Sequence, residues 1–137
     1  MDYRIDCGGE AVGILTDTGF VPEPAAAALT GVDLLVLESN HDVDWLQSGP
    51  YPYSLKQRIL GQRGHLSNED AAAFARRMAE CGTRYFVLAH LSRENNTPAR
   101  ALQVMETALS DLDVSVEVAP RDELSVCYAP EVIACRR

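Results

Sequence analysis

Apolar residues follow two patterns along the chain, short continuous runs and stripes at helical spacing. Residues 32–37 and 85–89 are almost wholly apolar and of strand length, which predicts strands buried on both faces of a sheet. In residues 114–118, valines alternate with polar residues, as in a half-buried strand. Apolar stripes in residues 68–80 and 98–109 predict amphipathic helices.

Residues with strong turn or cap preferences mark the ends of these elements. Gly8-Gly9 separates two predicted strands, and three helices are predicted to begin at polar cap residues: Ser54, Ser67 or Asn68, and Thr97. Gln57 follows Ser54 at capping-box spacing, and a last strand is predicted at residues 124–128. The order strand, helix, strand, helices, strand, helix, strand predicts an α/β protein with helices covering at least one sheet face.

Length, charge and cysteine usage narrow the class of protein. The 137 residues fit one domain with one core. A net charge of −8 argues against a protein that coats nucleic acid by charge alone, but it allows an enzyme with a local basic groove. The four cysteines lack zinc-type spacing, so free thiols in a cytoplasmic protein are expected. No signal peptide is expected, and no membrane association either, because no apolar run approaches the roughly 20 residues that span a bilayer.

Polar residues suited to metal binding collect in loops that follow predicted strands. Asp17 follows one strand, Glu38, Asn40 and His41 follow the next, and His90 follows a third. Because the carboxyl ends of parallel strands share one sheet edge, these side chains are predicted to converge there. Carboxylate and imidazole groups are suitable ligands for Zn²⁺ or Mn²⁺.

Two further groups of polar residues lie beside these loops. His65 precedes Ser67 and Asn68 at a predicted helix start, where free N–H groups and the helix dipole favour phosphate. Asn95 and Asn96 follow His90 and suit a turn with a substrate contact. Each residue taken singly is equally well explained as a turn or a cap. The convergence of several loops is what favours a functional site.

Four segments carry a resemblance to a known family. In chain order, ILTDTGFV, LLVLESNHD, GPYPYSLKQRILGQRGHLSN and LAHLSRENN resemble motifs of the metallo-β-lactamase-fold hydrolases of the YycJ (WalJ) type. They are similar, more distantly, to the tRNA-processing nuclease ribonuclease Z. The match runs from about residue 12 to about residue 101. It implies an α/β fold that is half of an αββα sandwich, a mixed sheet with helices covering one face.

The resemblance also implies residue roles and a chemistry. Asp17 and His90 match metal ligands, and His65 matches a catalytic histidine that donates a proton near the scissile phosphate. The remaining candidates would lie behind the ligands or face the substrate: Glu38, Asn40, His41, Ser67, Asn68, Asn95 and Asn96. Family members use two divalent metal ions, Zn or Mn. The implied activity is a phosphodiesterase or exonuclease acting on nucleic acid, DNA rather than RNA.

One departure from the family pattern shapes the expectation for this chain. The family's His-x-His-x-Asp-His motif and a further histidine before the aspartate are absent, since the three histidines all follow Asp17. Residues 1–137 are therefore predicted to be the C-terminal portion of such a domain, without its N-terminal half. Alone, the chain is predicted to bind metal weakly or not at all and to be inactive. It is also predicted to self-associate, or to bind the missing half, through an exposed sheet face.

Two alternatives stay open at this point. The substrate could be a thioester, a lactone or another small molecule, although the basic group Lys56, Arg58 and Arg63 near His65 favours phosphate. Alternatively, the chain could be a non-catalytic remnant that acts as a binding partner.

Overall fold

The computed structural model describes residues 1–124, which form one sheet with helices packed on it. The elements in chain order are β1 (Asp2–Cys7), β2 (Glu10–Leu15), α1 (Glu23–Leu29), β3 (Leu34–Glu38), α2 (Val43–Ser48), α3 (Tyr53–Leu60), α4 (Asn68–Glu80), β4 (Tyr85–Ala89), α5 (Pro98–Ala108) and β5 (Ser115–Val118). Apart from residue 124, the predicted last strand lies outside the described residues.

The sheet is mixed, and its strands lie in chain order from β1 to β5. β1 pairs antiparallel with β2, and the other neighbours pair parallel. Gly8 and Gly9 form the β1–β2 turn with φ of +59° and +86°, a region that glycine enters without a steric penalty. Because the order of the parallel strands advances in one direction, right-handed crossovers bring their helices to the same face. The predicted α/β class, a mixed sheet with helices on one face, is confirmed.

The main core lies between that sheet face and the helices. Leu35 and Leu37 of β3 and Phe86 and Leu88 of β4 contribute its sheet side. The helix side is supplied mainly by α1, α4 and α5, with these residues at its centre: Ala26, Leu29, Ala71, Phe74, Ala75, Met78, Ala101 and Met105. Each large aliphatic side chain buried here contributes about 1.5–3 kcal/mol. The packed core therefore holds the carboxyl ends of the strands in fixed positions.

The second sheet face has a smaller apolar cluster of strand residues. Leu34, Tyr85 and Val87 are 4%, 2% and 5% exposed, and no helix of the described chain belongs to this cluster. On the edge strand β1, by contrast, Tyr3 and Ile5 are more than half exposed. The most exposed apolar side chains of this face therefore lie on its edge strand, while Val12 of β2 and Val36 of β3 are partly buried.

Helix starts agree with the sequence in two cases and differ in one. The Ser67 hydroxyl accepts a hydrogen bond from the Asp70 N–H at 3.1 Å, and the Thr97 hydroxyl caps α5 in the same way. The predicted Ser54 cap is wrong. Helix α3 begins at Tyr53, directly after the extended Pro52, and no side chain caps it. Ser54 therefore lies inside the first turn instead of preceding it.

The loop after β3 contains a short helix. α2 spans Val43–Ser48, and Asp42 caps it by accepting a hydrogen bond from the Trp45 N–H at 3.1 Å.

Within residues 1–124, no helix is long and apolar enough to cross a lipid bilayer.

Candidate metal centre

Four ionisable side chains meet at the carboxyl-end edge of the sheet. Asp17 follows β2, Glu38 ends β3, His65 precedes α4 and His90 follows β4. Each offers one atom that could ligate a metal, and these atoms lie within 4.8 Å of one another. The predicted convergence of strand-end loops thus holds for these four residues.

A single carboxylate orients both histidines. Glu38 is fully buried, and its Oε1 accepts a hydrogen bond from Nδ1 of His65 at 2.7 Å and from Nδ1 of His90 at 2.7 Å. Its Oε2 accepts the Thr18 N–H at 3.3 Å. A carboxylate partner places the imidazole proton on Nδ1 and leaves the Nε2 lone pair available. This is how metal-binding histidines are usually held from behind.

The free side of His90 faces a second donor. His90 Nε2 lies 3.7 Å from Asp17 Oδ1, and two donors on one tetrahedral zinc ion lie about 3.4 Å apart. The imidazole rings of His65 and His90 have centroids 5.1 Å apart, and His65 Nε2 makes no hydrogen bond to any residue among 1–124. All three side chains are partly solvent-accessible. The residues present therefore fit a divalent metal ion.

The backbone at both strand-end residues is strained. Asp17 and His90 have φ of +56° and +58°, a left-handed conformation that costs a non-glycine residue roughly 1–3 kcal/mol. The Asn40 amide donates to the His90 carbonyl at 2.8 Å and holds that loop. The loop after Asp17 is held where the Gly19 N–H donates to the Gln62 carbonyl at 3.1 Å. Such strain at two candidate ligands is typical of functional sites.

Gly19 allows this second contact because it lacks a side chain. A Cβ at Gly19 would lie 1.9 Å from the Gly61 carbonyl oxygen, far inside van der Waals contact. The Asp17 loop and the α3–α4 loop can therefore approach this closely only with glycine at position 19.

A buried amide network supports the site from behind. Asn68 and Asn96 exchange two side-chain hydrogen bonds, at 3.0 and 2.9 Å. The Ser39 hydroxyl donates to Asn68 at 2.6 Å, and the Asn96 amide donates to the Ser39 carbonyl at 2.9 Å. These contacts join the loops after β3 and β4 to the start of α4. Asn68 and Asn96 are 1% and 4% exposed, so they position loops and do not line the open site. The sequence reasoning missed Ser39, because a lone serine carries no signal.

The other predicted site residues are also mostly enclosed. His41 is buried, with Nδ1 3.3 Å from Asn40 Oδ1 and no partner for Nε2 within residues 1–124. Burial lowers the pKa of His41, and the nearby His65 lowers it further. Ser67 is the buried cap of α4, and the Asn95 carbonyl accepts the Asp42 N–H at 2.9 Å. None of these residues joins the four-residue group.

An open cleft of about 600 Å³ lies beside the two imidazoles. His65, His90 and Asn40 form one part of its lining. Three arginines also line it: Arg58, Arg63 and Arg93. Of the predicted basic group Lys56, Arg58 and Arg63, the two arginines line the cleft and Lys56 does not, whereas Arg93 was not predicted.

Comparison with solved structures identifies the class of fold. The metallo-β-lactamase fold protein YhfI from Bacillus subtilis superimposes with a TM-score of 0.59 at 19% identity, over 86% of this chain and 40% of that one. Zn²⁺-bound PqqB from Methylobacterium extorquens gives a TM-score of 0.52 at 18% identity, over 85% and 40%. The chain therefore contains part of the metallo-β-lactamase fold, as the motifs implied.

Sequence comparison gives the particular relatives. Exodeoxyribonuclease WalJ of Streptococcus pneumoniae is 41% identical over 116 residues, covering 85% of this chain and 43% of that protein. Exodeoxyribonuclease YycJ of Bacillus anthracis is 37% identical over 111 residues, covering 81% and 42%. No protein-family profile matches the chain. The chain is thus related to the WalJ and YycJ proteins, and it spans less than half of their length.

Proposed function

We propose that the chain is the C-terminal portion of a metal-dependent phosphodiesterase that acts on nucleic acid, DNA rather than RNA. The observation that carries this proposal is the pairing of both strand-edge imidazoles with the buried carboxylate of Glu38. The names of the sequence relatives, which are called exodeoxyribonucleases, agree with a nuclease. The free thiols of Cys7 and Cys81 agree with a cytoplasmic location.

In this proposal Asp17 and His90 hold a divalent metal ion, Zn or Mn. Bound there, the ion would act as a Lewis acid toward a phosphoryl oxygen. Glu38 keeps the His90 proton on Nδ1, so that Nε2 stays a ligand. Because Asp17 and His90 supply few donors on their own, the chain alone is expected to bind metal weakly.

His65 acts as the proton donor to the leaving oxygen. To donate from Nε2 while its Nδ1 donates to the Glu38 carboxylate at 2.7 Å, the ring must carry protons on both nitrogens. After transfer, the same hydrogen bond keeps the neutral ring oriented for the next cycle. His65 is 32% exposed and can exchange protons with solvent.

The charges of the cleft favour a phosphodiester over a thioester or lactone. Arg58 and Arg63 line the cleft with His65, in a chain whose net charge is −8. A thioester or lactone offers no anionic group near the reacting bond for such cations to bind, whereas every nucleotide unit of a nucleic acid does.

The test uses a version of the protein that carries the His-x-His-x-Asp-His segment ahead of residue 1. With bis-p-nitrophenyl phosphate as substrate, His65→Ala should lower kcat by about 10²-fold or more with metal content unchanged. His90→Ala should lower the metal content. If His65→Ala removed metal and His90→Ala did not, the two assignments would be reversed. Faster turnover of a thioester than of the phosphodiester would support the alternative substrate class.

The chain by itself provides a second test. Residues 1–137 with Zn²⁺ or Mn²⁺ should not hydrolyse bis-p-nitrophenyl phosphate at an enzyme-like rate, because the further metal ligands are absent from it. Rapid hydrolysis by the purified chain would refute the proposal that it is only a portion of the active domain.

A further inference from the structure

The cleft beside His65 and His90 is lined by residues of two kinds. One set of lining residues is cationic: Arg58, Arg63 and Arg93. Another set is apolar or aromatic: Tyr51, Leu55, Ile59 and Leu91. This combination suits a ligand that is both anionic and aromatic.

The cationic residues are available to an anion. Arg58 and Arg63 are exposed, and their side chains form no hydrogen bond or ion pair with any residue among 1–124. The Arg93 guanidinium lies 3.8 Å from Asp122 in an exposed contact, which is a weak pair. Glu94 also lines the cleft, so the arginines outnumber the acidic side chains among its described lining residues. In a protein of net charge −8, such a local excess of positive charge indicates a site for an anionic ligand.

Part of the apolar lining comes from a helix that the protein core does not bury. Helix α3 has no buried residue. Leu55 and Ile59, one turn apart on α3, are half-buried and line the cleft, and Tyr51, just before the helix, is half-buried there too. An aromatic ring beside aliphatic side chains is a surface on which an unstacked base can lie.

We propose that this cleft binds the unstacked end of a single nucleic-acid strand, with Arg58 and Arg63 on its phosphates and Tyr51 against a base. A volume of about 600 Å³ is typical of a site for a small ligand. A volume of this order suits roughly one or two nucleotides. The inference rests on the proposed function, because it places the adjoining phosphodiester at His65.

The test measures strand binding without any chemistry. A fluorescein-labelled oligothymidylate is titrated with the purified chain in EDTA, and anisotropy is recorded over a range of salt concentrations. For single strands, log K falls with log salt by about 0.7 for each phosphate contact. The double variant Arg58→Gln/Arg63→Gln should therefore reduce the slope by about 1.4 and weaken binding at low salt.

Two matched controls separate the cleft from general charge and aromaticity. Lys56 lies on the same helix but does not line the cleft and donates to the Gln47 carbonyl at 2.7 Å. Lys56→Gln should leave the slope within about 0.3 of the parent value. Tyr51→Ala should weaken binding about fivefold or more. Tyr53→Ala should not, because Tyr53 is 77% exposed and lies outside the lining.

Several outcomes would overturn the proposal. These are no binding by the parent chain at low salt, a slope unchanged in the arginine double variant, and a blunt duplex bound as tightly as the single strand. Circular dichroism would first establish that each variant is folded. Because EDTA removes metal from the assay, failure here is distinct from failure of the hydrolase proposal, which would appear as turnover or metal loss inconsistent with the assigned roles.

Discussion

Replacing Glu38 with glutamine tests the central feature of the site, one carboxylate holding two imidazoles. Glutamine keeps the shape of the side chain but removes the charge. Two charge-assisted hydrogen bonds at 2.7 Å become neutral ones, each weaker by about 1 kcal/mol. The Glu38 side chain is fully buried. A glutamine at this position would place its NH₂ group against neighbours that are themselves hydrogen-bond donors. We expect Glu38→Gln to reduce the free energy of unfolding by about 2 kcal/mol.

The same change should loosen the orientation of both histidines. Losing the group that holds one ligand histidine typically costs 10–100-fold in metal affinity. Of the two assigned ligands Glu38 holds His90, so we expect a loss within that range, about 30-fold, which is about 2 kcal/mol.

Two measurements check this expectation. The first is a competition titration of Zn²⁺ against a chromophoric chelator, made on the version of the protein that carries the His-x-His-x-Asp-His segment. The second is the ¹⁵N spectrum of the histidine side chains at neutral pH, which distinguishes the Nδ1–H from the Nε2–H tautomer and does not require bound metal. The parent chain should show a protonated Nδ1 on both His65 and His90, and Glu38→Gln should show a mixture of tautomers.

A matched control removes one carboxylate charge from the cleft beside the two imidazoles. Glu94 is exposed, lines the cleft and makes no hydrogen bond within residues 1–124. Glu94→Gln should change neither the tautomers nor the stability by more than about 0.5 kcal/mol. If Glu38→Gln were folded and kept both a protonated Nδ1 on the two histidines and the parent zinc affinity, Glu38 would not orient these side chains.

Three further changes test the supports of the site. Asn96→Ala removes one half of the buried amide pair and leaves buried polar groups without partners, so urea unfolding should show a loss of about 3 kcal/mol; a loss below about 1 kcal/mol would contradict this. Gly19→Ala forces the Asp17 loop away from the α3–α4 loop, so the zinc titration should show about tenfold weaker binding. Unchanged zinc affinity would show that the close approach of the two loops is unnecessary. Burial raises the pKa of the Asp42 carboxyl, but hydrogen bonds led by that from Arg100 outweigh it and hold the pKa below the ordinary 3.8. The unfolded chain therefore takes up this proton first as the pH falls, and the stabilisation present above about pH 4 is lost below it. Asp42→Asn should flatten that part of the urea-derived stability profile, and an unchanged profile would refute the assignment.

The local elements were predictable because their signals are short-range. Apolar runs of strand length became β3 and β4, and polar caps before apolar stripes became the starts of α4 and α5. The capping box at Ser54 failed because Pro52 sets the start of α3, and the two signals compete within three residues. The sequence also placed Asp17 and His90 at strand ends, and the parallel order of the strands brought those ends to one edge.

The sequence alone therefore determined the α/β class, the relationship carried by four motifs and the residue types available for a metal. Only the tertiary structure decided how they act together. Glu38 lies 27 residues from His65 and 52 from His90, and no spacing rule links such positions. The same holds for the amide pair of Asn68 and Asn96, which join loops 28 residues apart. A hydrogen bond fixes a tautomer only when the donor–acceptor distance is correct to within a few tenths of an ångström. The packing of the sheet and helices beneath the site sets that distance.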